Sequence, residues 1–186
     1  MSPPPDGAIL TLEPLLEAVR AGVEGAGWTL SGLQKTTSHQ FEGRWEGEST
    51  RSAYLFFHRE GREEAASIDV YLDETGQGLM GNLALVVDLQ PLAALGDPSE
   101  LLRALGSLAL TCLPPEYATP LTLRLRLERG DAEPGAAEAE VRFKVRIPRR
   151  AVAGGASAVA GLATRAVSGF ERILGAPELA QYTLRE

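Results

Sequence analysis

The sequence predicts an α+β protein in which an antiparallel β-sheet carries helices packed on one side. Three observations lead there. Between Leu121 and Ile147 two alternating apolar/polar runs flank a loop, as in a long hairpin. Between Trp28 and Leu89 further strand-like runs succeed one another with short polar breaks and no helix between them. Residues 11–25, 99–112 and 151–174 instead repeat their apolar residues at helical spacing. One domain over 11–175 is expected, with a flexible N-terminus over 1–10 and a tail over 176–186.

Taken in order, residues 1–10 are rich in Pro and Gly and are expected to fray. Thr11 then caps a helix whose Leu12, Leu15, Leu16, Val19 and Val23 share a face. Pro14 falls in the first turn, and Gly25 and Gly27 end the helix. A meander of strands follows. Trp28 to Leu33 is a candidate strand, and Phe41 and Trp45 alternate with Glu42, Arg44, Glu46 and Glu48. Tyr54 to His58 reads as a more fully apolar run, and Ile68, Val70 and Leu72 as another alternating set. Thr75-Gly76-Gln77-Gly78 turns the chain into a strand with Leu79, Leu83, Leu85, Val87 and Leu89.

Asp97-Pro98-Ser99-Glu100 is the sharpest local signal. Asp97 is placed to accept from free N–H groups, Pro98 fits the first helical position, and Glu100 completes a capping box. Leu101, Leu102, Leu105, Leu108, Ala109 and Cys112 then form one stripe, which Leu113-Pro114-Pro115 ends. In the hairpin, Leu121, Leu123, Leu125 and Leu127 lie on one face of the first strand, and Val141, Phe143, Val145 and Ile147 on one face of the second. The opposite face carries Arg124, Arg126, Arg142, Lys144 and Arg146. The final helix, over 151–174, holds Val159, Leu162, Ala163, Ala166, Val167, Phe170, Ile173 and Leu174 in register; Gly154-Gly155 weakens its beginning, moving its start toward Ser157.

The totals exclude several classes. At 186 residues and 44% hydrophobic, the chain can bury one good core or two small ones. No apolar run reaches the ~18 residues of a membrane-spanning helix, and Met1 to Asp6 does not resemble a signal peptide. The expected compartment is the cytoplasm. A lone Cys112 excludes an internal disulfide and a cysteine-cluster metal site; it reads as a small buried hydrophobe. The net charge of −7 argues against broad attraction to nucleic acid or an anionic membrane. Between Leu121 and Arg150, however, eight basic residues face five acidic ones, a local +3 that leaves −10 for the rest.

A search for chemistry yields little. His39 and His58 are the two histidines, without acidic partners at ligand spacing. Gly76-Gln77-Gly78-Leu79-Met80-Gly81 matches a GxGxxG pattern but opens no helix, so it reads as a turn. Glu42, Glu46 and Glu48 with Asp69 could meet in a cleft, but read more simply as a solvated or ion-paired strand face. No cofactor and no metal is expected. The basic hairpin face is what needs explanation, because like charges opposed across an antiparallel pair repel. Either acids on a neighbouring strand neutralise it, or Arg124, Arg126, Arg142, Lys144 and Arg146 await an acidic partner.

From about Gly78 to Leu174 the strand through Val86-Val87-Asp88-Leu89, the Leu-rich helix 99–112, Leu113-Pro114, the hairpin and the final helix follow a known layout. It resembles the YbjN-like family and, through it, the type III secretion chaperones: helix, strands, helix, hairpin, helix, with 11–25 as the first helix. The resemblance implies a non-enzymatic homodimer that binds another protein as chaperone or adaptor, in a family associated with bacterial stress responses. It carries over no catalytic residue. The competing reading is a helix-grip protein, a small-molecule (lipid-like) binder or enzyme whose curved sheet wraps the long C-terminal helix around an apolar cavity.

Overall fold

The computed structural model describes residues 7–38, 50–61, 65–114, 121–130 and 133–184. Helix α1 spans Leu12–Gly25 and leads into strands β1 (Thr29–Ser38), β2 (Thr50–His58), β3 (Ala66–Thr75) and β4 (Gly78–Leu89). Helix α2 (Pro98–Cys112) precedes β5 (Thr122–Arg126) and β6 (Glu138–Arg146). Short α3 (Arg149–Gly154), long α4 (Ala156–Leu174) and short α5 (Pro177–Ala180) complete the chain. The strands form one six-stranded antiparallel sheet in the order β1-β2-β3-β4-β6-β5, an α+β architecture as expected. The proposed strand around Phe41 and Trp45 lies outside the described residues, as does His39.

Alternation sorts the sheet into two faces. Ala53, Leu55 and Phe57 on β2, Ile68, Val70 and Leu72 on β3, and Leu83, Leu85 and Val87 on β4 are buried. Their counterparts on β6 are Val141, Phe143 and Val145, and this whole face joins the apolar stripes of α1, α2 and α4 in one core. Two-residue turn geometry at Gly76-Gln77, with Thr75 opposite Gly78, sets the β3–β4 register. Gly78 has φ +117°, a conformation that favours glycine. The GxGxxG match is therefore a hairpin turn running into a strand.

The Ala-rich composition of α4 has a packing cause. A Cβ on Gly22 of α1 would sit 2.4 Å from the Ala160 carbonyl oxygen and 2.8 Å from the Ala163 Cβ. The two helices therefore approach through small residues, and Thr164 Oγ1 donates to the Gly22 carbonyl at 3.1 Å. Gly169 repeats the device against α2, where its Cβ would lie 2.7 Å from the Cys112 carbonyl oxygen. Cys112 itself is half-buried against the core. The weak start of the final helix proves to be a break at Gly155 (φ +95°) that separates α3 from α4.

Several local expectations need correction. Thr11 occupies the N-cap position but makes no side-chain cap bond; Glu74 on β3 reaches across and accepts from the Leu12 N–H at 2.6 Å. A tertiary carboxylate replaces the local hydroxyl there, and Arg51 pairs with both Glu74 and Glu13. Asp97 does cap α2, accepting from the Ser99 N–H at 2.9 Å, but Leu102 points outward, 44% exposed. The described part of the N-terminal segment is anchored, and the tail docks on the fold as well. Ile9 is buried and its N–H donates to the Val152 carbonyl. Leu179 of α5 is buried, and Thr183 bridges to Leu89.

Two glycines should respond oppositely to alanine. Gly22→Ala forces a methyl into backbone and should cost about 1–3 kcal/mol. Gly106→Ala, inside α2 with nothing within 4 Å of the added Cβ, should stabilise by about 0.5–1 kcal/mol. Chemical denaturation of both variants checks the pair; equal effects would contradict the packing described here.

Candidate functional site

Among the described residues no helix lies over the other face of the sheet, and it is where they gather exposed aromatic and charged side chains. Pairing places Tyr54 opposite Tyr71, and Tyr71 opposite Asn82. One row along, Phe56 faces Asp69, Asp69 faces Ala84, and Ala84 faces Lys144. The next row runs Ser67, Val86, Arg142, Thr122. The Tyr54 and Tyr71 rings meet with centroids 5.0 Å apart and planes tilted by 47°, a favourable aromatic geometry. Tyr54, Phe56 and Met80 remain 37%, 36% and 57% exposed. Ala84 and Val86 are buried but stand apart from the main core, sheltered by these longer neighbours.

Residues 54–58, read as a fully apolar run, therefore alternate: Leu55 and Phe57 enter the core while Tyr54 and Phe56 face outward. The period of two was present, but aromatic rings at the outward positions masked it.

All five basic residues singled out in the hairpin lie on this open face, yet their surroundings differ. Register sets Arg124 opposite Glu140, Arg126 opposite Glu138 and Arg142 opposite Thr122. The expected opposition of like charges does not arise, because the loop length interleaves acids of β6 with arginines of β5. Arg142 donates to Glu140 at 2.8 Å and lies 3.6 Å from an Asp69 oxygen. Arg126 pairs with Glu128 and Glu138. Arg124 and Arg146 have no ion pair or hydrogen bond among the described residues. The leucines of β5 also depart from expectation: Leu125 is 51% exposed and Leu127 beyond it 45%, because this edge overhangs the core.

Two contiguous clefts run along the Arg/Lys side. One, of about 430 Å³, is lined by Tyr54, Phe56, Tyr71, Arg124, Arg142 and Lys144 among others. The second, of about 730 Å³, shares Tyr71, Asn82 and Lys144 and adds Met80, Arg146 and Arg149. A third hollow of about 520 Å³ lies toward the acidic end, lined by Ser31, Phe56, His58, Asp69, Asp88 and Glu140 among others.

That acidic end holds the perturbed carboxyls. Burial raises the Asp69 carboxyl above its ordinary value, and the Ser67 hydroxyl and Arg142 only partly offset it. The Asp88 carboxyl is raised as well, first by partial desolvation and then by repulsion from Glu140 and Glu138, although the residue remains exposed to solvent. His58 Nδ1 lies 2.6 Å from Ser31 Oγ, which also donates to the Phe56 carbonyl. Ser31, His58 and Asp69 are neighbours, but Asp69 takes its contacts from Ser67 and Arg142. That arrangement is not a nucleophile–base–orienter relay. The carboxylates Glu42, Glu46 and Glu48 lie outside the described residues. No helix among the described residues is long and apolar enough to cross a membrane.

The raised Asp88 carboxyl makes a signed prediction. Its folded form holds a proton at pH values where the unfolded chain has released it, so its contribution falls as pH rises from the ordinary carboxylate range through the folded value. Asp88→Asn should therefore raise the melting temperature at neutral pH and flatten the stability profile across mild acid. An unchanged profile in thermal melts across that range would refute the assignment.

No protein-family model matches this chain, and neither the curated proteins nor the solved structures contain a significant match.

Proposed function

We propose that this chain is a non-enzymatic protein-binding module, a homodimeric chaperone or adaptor whose open sheet face receives a partner protein. The observation that carries the reading is the one-sided cover of the sheet. Helices α1 and α4 seal one face, while the other leaves Tyr54, Phe56 and Met80 substantially exposed beside Arg124 and Arg146. Aromatic side chains and arginines are the residue types that anchor protein interfaces. The element order supports the likeness to YbjN-like and type III secretion chaperone-like proteins: one helix, a strand meander, a helix, a hairpin and a long helix. A cytoplasmic role in bacterial stress response follows from that likeness.

The helix-grip reading asks for an apolar cavity beneath the long helix. Val159, Ala163, Phe170 and Ile173 on α4 are 0% exposed, as are Leu55, Phe57, Leu83 and Val141 on the sheet. A void large enough for water would register as exposure on its lining, so these side chains meet one another directly. That favours the binding-module reading over a ligand carrier.

Two measurements test the proposal. Light scattering should give twice the mass of a single chain; a concentration-independent monomer mass removes the dimer. Affinity capture from the native cell extract should recover a protein with the wild type and lose it with Tyr54→Asp, an exposed change on the open face. Recovery of no protein by the wild type, or equal recovery by both baits, counts against the open face as the docking site.

A further inference from the structure

We infer that the groove along the open face takes an acidic, extended segment of a partner protein, a segment of about six residues that carries at least one aromatic or large apolar side chain. This rests on the protein-binding reading above and names the chemistry of the occupant.

Charge accounting within the groove supplies the argument. Its two carboxylates are engaged inside the fold: Asp69 by Ser67 and Arg142, Asp73 by the Ser52 hydroxyl at 2.8 Å. Three of its guanidinium groups, on Arg124, Arg146 and Arg149, have no hydrogen bond or ion pair among the described residues. Guanidinium groups recognise carboxylates with two parallel hydrogen bonds. Arg146 and Arg149 at one end of the groove and Arg124 at the other, within a chain of net charge −7, make a positive stretch in an otherwise acidic molecule.

Dimensions and floor narrow the choice. Arg124 stands opposite Glu140, so Arg124 and Arg146 are separated by six positions along β6. At ~3.3 Å per residue that is roughly 20 Å, the reach of about six extended residues. Tyr54 and Tyr71 lie in the row of Arg146 and Met80 one row beyond it, while Phe56, Ala84 and Val86 occupy the rows that lead to Arg124, an apolar floor suited to an aromatic or methyl-bearing side chain. A long polyphosphate is disfavoured by the same face, because Asp88 and Glu140 share the row of Arg124 and Glu138 lies one row beyond it. The tilted contact of Tyr54 with Tyr71 also turns those rings toward each other instead of offering parallel stacking faces. A short acidic segment spans the arginines and ends at Arg124, short of Glu138.

Fluorescence anisotropy on the purified full chain tests this with defined probes. A labelled peptide of alternating Glu and Phe should bind at least about tenfold more tightly than its counterpart with Gln in place of Glu. That advantage should shrink as salt rises. Arg124→Glu combined with Arg146→Glu should abolish it while circular dichroism stays unchanged, and Arg149→Glu alone, at an exposed position, provides a second variant if the double change impairs folding. Tyr71→Ala should weaken both peptides alike. Equal binding of the Glu and Gln peptides, indifference to the charge reversals, or tighter binding of oligothymidylate or phosphatidylserine vesicles overturns the inference. If the peptides fail while extract capture still distinguishes wild type from Tyr54→Asp, the acidic-segment inference falls and the protein-binding reading stands. If capture fails as well, both fall.

Discussion

The contact between α1 and α4 is the constraint on which the architecture depends. Two helices must lie side by side on a sheet whose other face stays open, so nearly all of the apolar burial is concentrated on one side. Gly22 against Ala160 and Ala163 brings the pair close enough that their remaining apolar residues reach the strands together. The same pair is tied to the sheet at its end by Glu171, which accepts from the Trp28 indole at 2.9 Å and also pairs with Arg59. Trp28 is buried there, so its N–H depends on that carboxylate. Close helix packing and a buried polar latch together let a single layer of helix support six strands.

Much of this fold was legible because its signals are local. Period two announced β3, β4 and β6, helical spacing announced α1 and α4, and Asp97-Pro98 marked the start of α2. What escaped was set by distant partners. Glu74 displaced Thr11 as the partner of the first helical N–H because the strand brought a carboxylate closer than the local hydroxyl. Ile9 lies in a segment whose composition suggests looseness, and Leu179 in the tail; distant partners, the Val152 carbonyl for the first and Leu89 and Gln90 for the second, hold them in place.

The candidate site was half legible for the same reason. A run of alternating basic residues on β5 and β6 is visible in one dimension. Their pairing with Glu138 and Glu140 is not, since a register shift of one residue would have turned every acid to the opposite face. Nor does the sequence place Tyr54 and Tyr71 beside Lys144, because β4 intervenes and the strand order must be known first. Within residues 124–146 the one aromatic, Phe143, points into the core, so the hairpin itself brings no ring to this face. Folding supplies those rings from two other strands.

The overhang of β5 has a consequence for the molecule's behaviour in crowded solution. A short border strand with half-bare Leu125, half-bare Leu127 just beyond it and an unpaired backbone edge among the described residues is a template for annealing to other chains. Arg124 and Arg126 on the reverse of that ribbon oppose such zippering between two copies, since their like charges would meet when the borders align. Charged side chains on a border strand are a general brake on such edge-to-edge annealing. Evolution of the groove toward neutrality would therefore be restrained by colloidal solubility, independently of what the groove binds.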